Sequence, residues 1–418
     1  MLIITYRFPP CGGTGVLRMV KYAKYLKRAG ITPLVVTARN PSLWLYGPDA
    51  SLAADIRGVG VSRVRYPDPR RLFKKKGKAG AITRHGFSSR LKKALLFPDI
   101  EILWAVFAFL RAALIVILRR PGAVLTTSPP FSCHYAGYWL KKIFGIKWLA
   151  DFRDLYLDNP HRTVAPSRRE EAAEKRIIKA ADVVIVLNET MERALKKRYG
   201  KDAKIAVIPN GYDPEDFCID IVPKYDIFTL TYAGNFYGDR TPETLIKAVK
   251  AAVSMNGGGP LPFRVVILGG MPLEYEKMIR AEGLEGCFTL AGFKEYGDTV
   301  KEIRKSDALF LMIPDVPGSG MVVTNKLFEY VASGAHIFAE IPERGEAAAI
   351  LEKYSGGYTL IPAGGSEYLA EKILEKAALK KAGSKVFSCA RPGFETYSRK
   401  ALALRLARLA GISLEGEL

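Results

Sequence analysis

Short runs of consecutive apolar residues alternate along this chain with stretches in which apolar positions recur every three or four residues. The first pattern reads as strands buried on both faces of a parallel sheet, the second as helices covering that sheet. In the first half it predicts strands over Leu2–Tyr6, Thr32–Thr37, Gly60–Tyr66, Ala123–Thr127, Lys147–Asp151, Val183–Leu187 and Ile205–Ile208. Helices are expected over Val16–Arg28, around 100–118, and over Ala136–Phe144, Ser167–Ala180 and Glu189–Tyr199. After Asn210-Gly-Tyr-Asp-Pro-Glu-Asp-Phe217 the pattern restarts. Strands are predicted at Ile227–Tyr232, Arg264–Leu268, Cys287–Leu290, Ala308–Ile313 and His336–Glu340. Helices are predicted at Pro242–Met255, Tyr275–Glu282, Thr299–Lys305 and Asn325–Ser333. Phe394–Leu409 reads as a closing amphipathic helix. The fold class expected is α/β: two doubly wound, Rossmann-like domains, over 1–215 and 216–393, with a last segment 394–418 returning to the first. Ligands of such sheets bind at the carboxyl ends of the strands, so the site is expected between the two domains.

Composition adds little to that picture except at the charges. The 418 residues include five cysteines with no C-x-x-C pair, which fits a reducing compartment and speaks against a zinc site or disulfide framework. The first residues run straight into a strand pattern, so no secretory signal is expected. The formal net charge is +21. Between Arg70 and Lys93 lie ten Lys or Arg residues and no Asp or Glu. Such a block suits nucleic acid, an anionic membrane surface or an acidic substrate, or is a solvated loop. Apolar and aromatic residues beside it, among them Phe73, Phe87, Leu95, Leu96 and Phe97, suit a membrane surface. The apolar runs on either side of Arg111 are too short to span a bilayer, and 100–118 reads as a mostly buried helix.

The candidate chemistry gathers at strand ends. The helix predicted from Asn325 offers free N–H groups and a positive dipole end to an anion. Lys326 stands in its first turn, where a cation is unfavourable without an anion. Glu329, one turn on, suits ribose hydroxyls. Thr324 and Asn325 lead into the helix. Gly234 and Asn235 end the first strand of the second domain, and Arg240 beyond them carries a planar donor fork suited to phosphate. Fixed cations at Arg240 and Lys326 would stabilise a departing diphosphate without metal. In the first domain, Gly12, Gly13 and Gly15 follow the first strand and let backbone approach a ligand. Asp151-Phe-Arg-Asp154 closes another strand, with Asp151 expected in a structural pair and Arg153 and Asp154 on the acceptor side. His134 either titrates near neutral pH and donates to a phosphate or sugar hydroxyl, or is a helix-capping or buried histidine. No D-x-D pair stands at a strand end, and neither a metal nor a cofactor is expected.

In order and spacing, Phe8-Pro-Pro-Cys-Gly-Gly13, Asp151-Phe-Arg-Asp154, Ile208-Pro-Asn-Gly-Tyr-Asp213, Tyr232-Ala-Gly-Asn235 and Lys326-Leu-Phe-Glu-Tyr-Val-Ala-Ser-Gly334 resemble a GT-B fold glycosyltransferase of the family-4 type over nearly the whole chain. The resemblance implies a donor, a UDP- or GDP-sugar, held mainly by 216–393, and an acceptor held by 1–215. It implies that Glu329 is the second Glu of the family's Glu-x7-Glu motif and binds ribose, and that Thr324 and Lys326 form the diphosphate-binding turn. Arg240 falls near the family's diphosphate-binding Arg, without the usual Lys-Gly companion. The first motif Glu falls at Met321. Transfer with retention is implied, by same-face attack in which the departing phosphate oxygen takes the acceptor proton. Asp154, Arg240 and Lys326 are then the catalytic candidates, and His134 joins Asp154 in placing the acceptor.

Four readings follow. The first is a transferase in cell-envelope glycan biosynthesis, acting on a lipid-linked or polysaccharide acceptor. It would be cytoplasmic and peripheral on the inner face of the membrane, with 70–118 facing the lipid. The second is a nucleotide-sugar epimerase on the same fold. The third is a non-catalytic nucleotide-sugar binder, suggested by Met321. The fourth is a nucleic-acid binder, which has only charge behind it and no recognition motif.

Overall fold

The computed structural model describes residues 1–39, 47–69, 96–160, 162, 164–218, 222–257, 259–384, 386 and 389–413. The basic block Arg70–Lys93 lies outside them. The chain divides into two units, Met1–Pro209 together with the residues from Leu402 on, and Asn210–Ala401.

The first unit is built on a seven-stranded parallel sheet of order β3-β2-β1-β4-β5-β6-β7. Its strands are β1 Leu2–Ile4, β2 Leu34–Ala38, β3 Gly60–Val64, β4 Ala123–Ser128, β5 Lys147–Phe152, β6 Val183–Val186 and β7 Ile205–Val207. Helices α1 Thr14–Arg28, α2 Ile102–Arg119, α3 Ser132–Phe144, α4 Arg168–Ala180 and α5 Glu189–Tyr199 connect them. Every residue of β1 and β4 is buried, as continuous apolar runs require. Helix α3 lies close on the sheet because Gly137 faces Trp148, where even a Cβ would overlap the indole. Local chemistry sets the ends of α4 and α5. Ser167 and Glu170 form a capping box, and the Asn188 side chain accepts from the Met191 N–H. The order reverses between β1 and β4, which makes their carboxyl ends the crevice of this sheet.

The second unit has a six-stranded parallel sheet of order β10-β9-β8-β11-β12-β13. The strands are β8 Phe228–Ala233, β9 Phe263–Leu268, β10 Phe288–Gly292, β11 Ala308–Met312, β12 His336–Glu340 and β13 Tyr358–Leu360. Its helices are α6 Pro214–Cys218, α7 Glu243–Met255, α8 Leu273–Ala281, α9 Tyr296–Lys305, α10 Asn325–Ser333, α11 Glu346–Tyr354 and α12 Ser366–Lys381. One core lies under α7 and α12, the other under α10 and α11. Here the order reverses between β8 and β11, so the loops after Ala233 and Met312 flank the crevice.

Three sequence expectations are corrected. Phe394–Leu409 is not one helix: a 3-10 turn at Phe394–Tyr397 and helix α13 Arg399–Leu409 meet at Ser398, whose extended backbone interrupts the hydrogen-bond ladder. Helix α3 begins at Ser132, four residues before the apolar period shows it, because Asp99 accepts from the Ser132 backbone N–H at 2.9 Å and from its hydroxyl. Helix α2 is not mostly buried; 28% of it is. Apart from the enclosed Trp104, the sheet side takes mainly its small residues, and Leu110, Leu114, Ile117 and Leu118 stay outside.

Candidate functional site

Helix α10 opens at Thr324, whose extended backbone turns the chain out of the loop following β11. Thr324 makes no side-chain cap, and its Oγ1 is buried with no hydrogen-bond partner among the described residues. Lys326 follows, with 8% of its surface exposed. Its Nζ has no hydrogen-bond partner among the described residues and lies 4.0 Å over the Tyr232 ring. Tyr232 is itself stacked on Phe236 at 4.0 Å. Burial drives the Lys326 ammonium well below the usual lysine range, and the nearby Arg240 pushes the same way while Glu329 opposes them. The half-buried Arg240 leaves its Nε without a partner among the described residues; only its Nη1 reaches Tyr237 Oη, at 3.4 Å.

Three unpaired polar groups thus surround the start of one helix at the carboxyl end of β8. A buried donor without an acceptor costs free energy, so the arrangement suits an anion. The floor is shaped for close approach. Gly234 has φ +145°, and a Cβ there would meet Lys326 Nζ. Gly269, at φ +134°, lies against the Gly234 backbone, where a side chain would overlap the carbonyl. Asn235 Oδ1 accepts from the Gly270 N–H at 2.7 Å and so ties the two loops. Its side chain is engaged there, which makes it a brace of the floor.

On the far side of the first turn, Glu329 is buried at 7% exposure and acts electrostatically on Tyr296. Tyr296 donates to Asp216 Oδ2 at 2.7 Å, and burial holds its hydroxyl well above the usual tyrosine range. Asn325 Oδ1 accepts from Arg399 Nη2 at 3.0 Å, which anchors the start of α10 from behind. The Tyr330 hydroxyl accepts from the Ala233 N–H at 2.9 Å and fastens α10 to the end of β8. Met321 ends a 3-10 turn, Ser319–Met321. Thr324, Asn325, Lys326, Glu329, Gly234, Asn235 and Arg240 are therefore brought together at one strand end of the second unit.

The first unit carries the remaining candidates. Gly13, at φ +96°, starts α1, and the Gly12 N–H donates to the Gly47 carbonyl at 3.0 Å. Asp151 is fully buried and paired with Arg18 at 2.8 Å; the Thr127 hydroxyl donates to its other oxygen at 2.8 Å. Arg18 also donates to the carbonyls of Ile208 at 2.9 Å and Pro209 at 2.7 Å. Arg153 gives three of its donors to backbone carbonyls, those of Ser128, Gly15 and Pro129, at 2.9, 2.7 and 2.9 Å. It holds the loops after β1 and β4 together, a positioning part. Asp154, next along, is exposed.

His134 takes the second of its two readings, the buried one, and not the titrating, acceptor-side one. It is fully buried in the first turn of α3, and its ring stacks on Phe152 at 4.4 Å. Its Nδ1 shares a 2.8 Å hydrogen bond with Thr126 Oγ1, which also accepts from Trp148 Nε1 at 2.9 Å. Burial pushes its pKa down to about 3, so the ring is neutral at ordinary pH and reaches no solvent. No local pattern points to Tyr232 beneath the ammonium or to Arg18 as the partner of Asp151, both set by pairings distant along the chain. Among the described residues no cluster of three His, Cys, Asp or Glu has metal-binding geometry.

Residues 13–211 match the family model of the glycosyl transferase 4-like domain. No curated protein matches the sequence. The fold is similar to that of sucrose-phosphate synthase from Thermosynechococcus elongatus, at 16% identity and TM-score 0.63, over 98% of this chain and 97% of that one. Anabaena HepE, solved with UDP and glucose, is similar at 15% identity and TM-score 0.64 over 98% of each chain. WaaG, a glycosyltransferase involved in lipopolysaccharide biosynthesis, is similar at 14% identity and TM-score 0.60 over the full length of both.

Proposed function

We propose that the chain is a glycosyltransferase of the GT-B fold and the family-4 type and that it moves a hexose from a UDP- or GDP-sugar to a lipid-linked or polysaccharide acceptor, with retention, in building a cell-envelope glycan. The match of residues 13–211 to the glycosyl transferase 4-like domain and the likeness of the fold support this reading. The observation that carries the donor half is the buried Lys326 ammonium at the start of α10, which, like Arg240 Nε and Thr324 Oγ1, has no hydrogen-bond partner among the described residues. A nucleoside diphosphate would satisfy all three. Its phosphate oxygens would accept from Lys326, Arg240 and the free N–H groups of the helix, and Glu329 would accept from the ribose hydroxyls. HepE was solved with UDP and with UDP-glucose, which supports a uridine donor among the two.

In this reading the glycosidic C–O bond to the diphosphate breaks as the acceptor oxygen attacks from the same face. The departing phosphate oxygen takes the acceptor proton. Lys326 and Arg240 stabilise the charge that grows on the diphosphate, which is the part of the reaction where fixed cations act most strongly. That role makes the reaction metal-independent. Asp154, exposed at the end of β5, is the acceptor-side carboxylate, and Arg153 holds the loops around it. His134, buried and neutral, is given no contact with the acceptor. The chain would act from the cytoplasmic side, peripheral on the membrane that carries its acceptor.

The test is a thermal-shift and calorimetry series with UDP, GDP and ADP. A ligand at a hundred times its Kd stabilises the native state by about 2.7 kcal/mol, or roughly 5–10 °C for a unit of this size. Glu329→Ala should weaken the binding by about 1–3 kcal/mol. Absence of any shift with every nucleoside diphosphate at millimolar concentration would overturn the donor site.

A further inference from the structure

One side of α2 is apolar where a solvent-facing helix is ordinarily polar. Trp104, Ala105, Ala108, Ala112 and Val116 are buried against the sheet. On the opposite side Val106, Phe107, Leu110, Leu114, Ile117 and Leu118 are exposed, Ile117 by 59% and Leu118 by 68%. Spaced by three, four and seven residues, they form one continuous stripe. Trp104 apart, the large apolar side chains thus face outward and mostly small ones inward, the reverse of what burial favours. Arg111 interrupts the stripe, and its Nε donates to Ser62 Oγ at 2.6 Å.

Helix α3 extends this surface. Asp99, just before α2, accepts from Ser132 at the start of α3, and Phe109 meets Trp139 edge to face at 5.6 Å. The two helices therefore start at the same end and run in the same direction. The exposed Ile143 (63%) and Phe144 at the end of α3 come level with the later turns of α2. Charge points to the occupant. From Ile102 to Ala150 there is no Asp or Glu, and there are six cations: Arg111, Arg119, Arg120, Lys141, Lys142 and Lys147. Of these, Arg119, Arg120 and Lys142 are exposed beside the apolar end. Lys141 is already paired with Asp182 at 2.8 Å, and a second copy docked by the same face would bring Arg119, Arg120 and Lys142 against one another. An anionic lipid leaflet offers both an apolar interior and complementary phosphates.

We propose that the outer face of α2 and the end of α3 seat the first unit on an anionic membrane surface, the apolar stripe entering the lipid and the cations lying among the headgroups. This deepens the peripheral-membrane reading given above and rests on it. The eighteen-residue helix has the length and composition to cross a bilayer. Its buried side, with Trp104 fully enclosed, instead keeps it lying along the unit.

The test is co-sedimentation with phosphatidylcholine vesicles, with and without phosphatidylglycerol. It compares the wild-type chain with the triple variant Leu114→Gln, Ile117→Gln, Leu118→Gln. All three side chains are exposed, and an unchanged melting temperature and UDP shift establish that the variant is folded. The wild type should bind the anionic vesicles, less so as salt rises, and the variant should lose at least tenfold in partitioning. A second variant, Ile117→Trp, should show indole emission quenched by brominated lipid. Equal binding by the triple variant, or unquenched indole on bound protein, would overturn the surface while leaving the membrane reading intact. Wild-type protein that ignores anionic vesicles would overturn both. A dimer that the triple variant abolishes, without vesicle binding, would assign the face to a second copy instead. Loss of the UDP shift alone would bear only on the donor site.

Discussion

Replacing Lys326 by Met should stabilise the protein and disarm it. Met keeps the length of the stem that packs over Tyr232 and removes the ammonium, which is 8% exposed and without a partner among the described residues. An unsatisfied buried donor costs about 1–3 kcal/mol. The lost contact with the Tyr232 ring offsets about 0.5–2 kcal/mol of that. The net gain is about 1 kcal/mol, or roughly 2–4 °C for a domain of this size. The sign depends on pH. The folded-state pKa of Lys326 is lowered, so between that value and the ordinary lysine pKa the unfolded chain binds more protons and wild-type stability rises with pH. The advantage of Met is therefore greatest below the folded pKa and fades as pH rises toward the ordinary lysine range. Binding moves the other way. Losing one or two charge-assisted hydrogen bonds to the diphosphate, about 1.5–3 kcal/mol, weakens UDP by about 10- to 150-fold. Scanning fluorimetry without ligand and titration calorimetry with UDP read the two effects separately. A variant that melts lower than wild type and still binds UDP equally well would refute the account of Lys326 as a cation held in reserve for an anion.

Two further predictions concern the first unit. Asp151→Asn leaves the Arg18 guanidinium buried without its counter-charge, and should cost about 3–5 kcal/mol in denaturant unfolding; a loss under 1 kcal/mol would show that the carbonyls of Ile208 and Pro209 suffice. His134, held near pKa 3 by burial against an ordinary value of 6.5, makes stability fall as pH drops through the window between them, because the unfolded chain takes up the proton first. Its imidazole resonances should stay fixed between pH 5 and 8, and a midpoint near 6.5 would contradict the buried placement.

Much of the architecture was legible because parallel strands buried on both faces leave unbroken apolar runs, and β4, β8 and β11 are such runs. The cluster at the start of α10 was legible for a different reason: Lys326 in a first turn contradicts the dipole, and that local conflict drew attention to the residues around it. What could not be read depended on distant pairings. Asp151 finds Arg18 across 133 residues, and Tyr232 underlies Lys326 from another element. The outer stripe of α2 escaped because an apolar helix has the same sequence pattern whether its second face meets protein or not. The start of α3 escaped because an Asp99 cap more than thirty residues away, not a local residue, sets it.

The division of the chain bears on the order in which it is made. The second unit is contiguous, Asn210–Ala401, whereas the first needs the residues from Leu402 on, with Leu402, Ala403, Leu406 and Ala407 buried. On the ribosome, at about 5–20 residues per second, the unit begun first waits roughly 10–40 s for its last piece. All of the second unit emerges during that wait. The earlier-born unit is thus the later one to close, and for that interval its apolar surface under α13 is open to chaperones, proteases and its own neighbours.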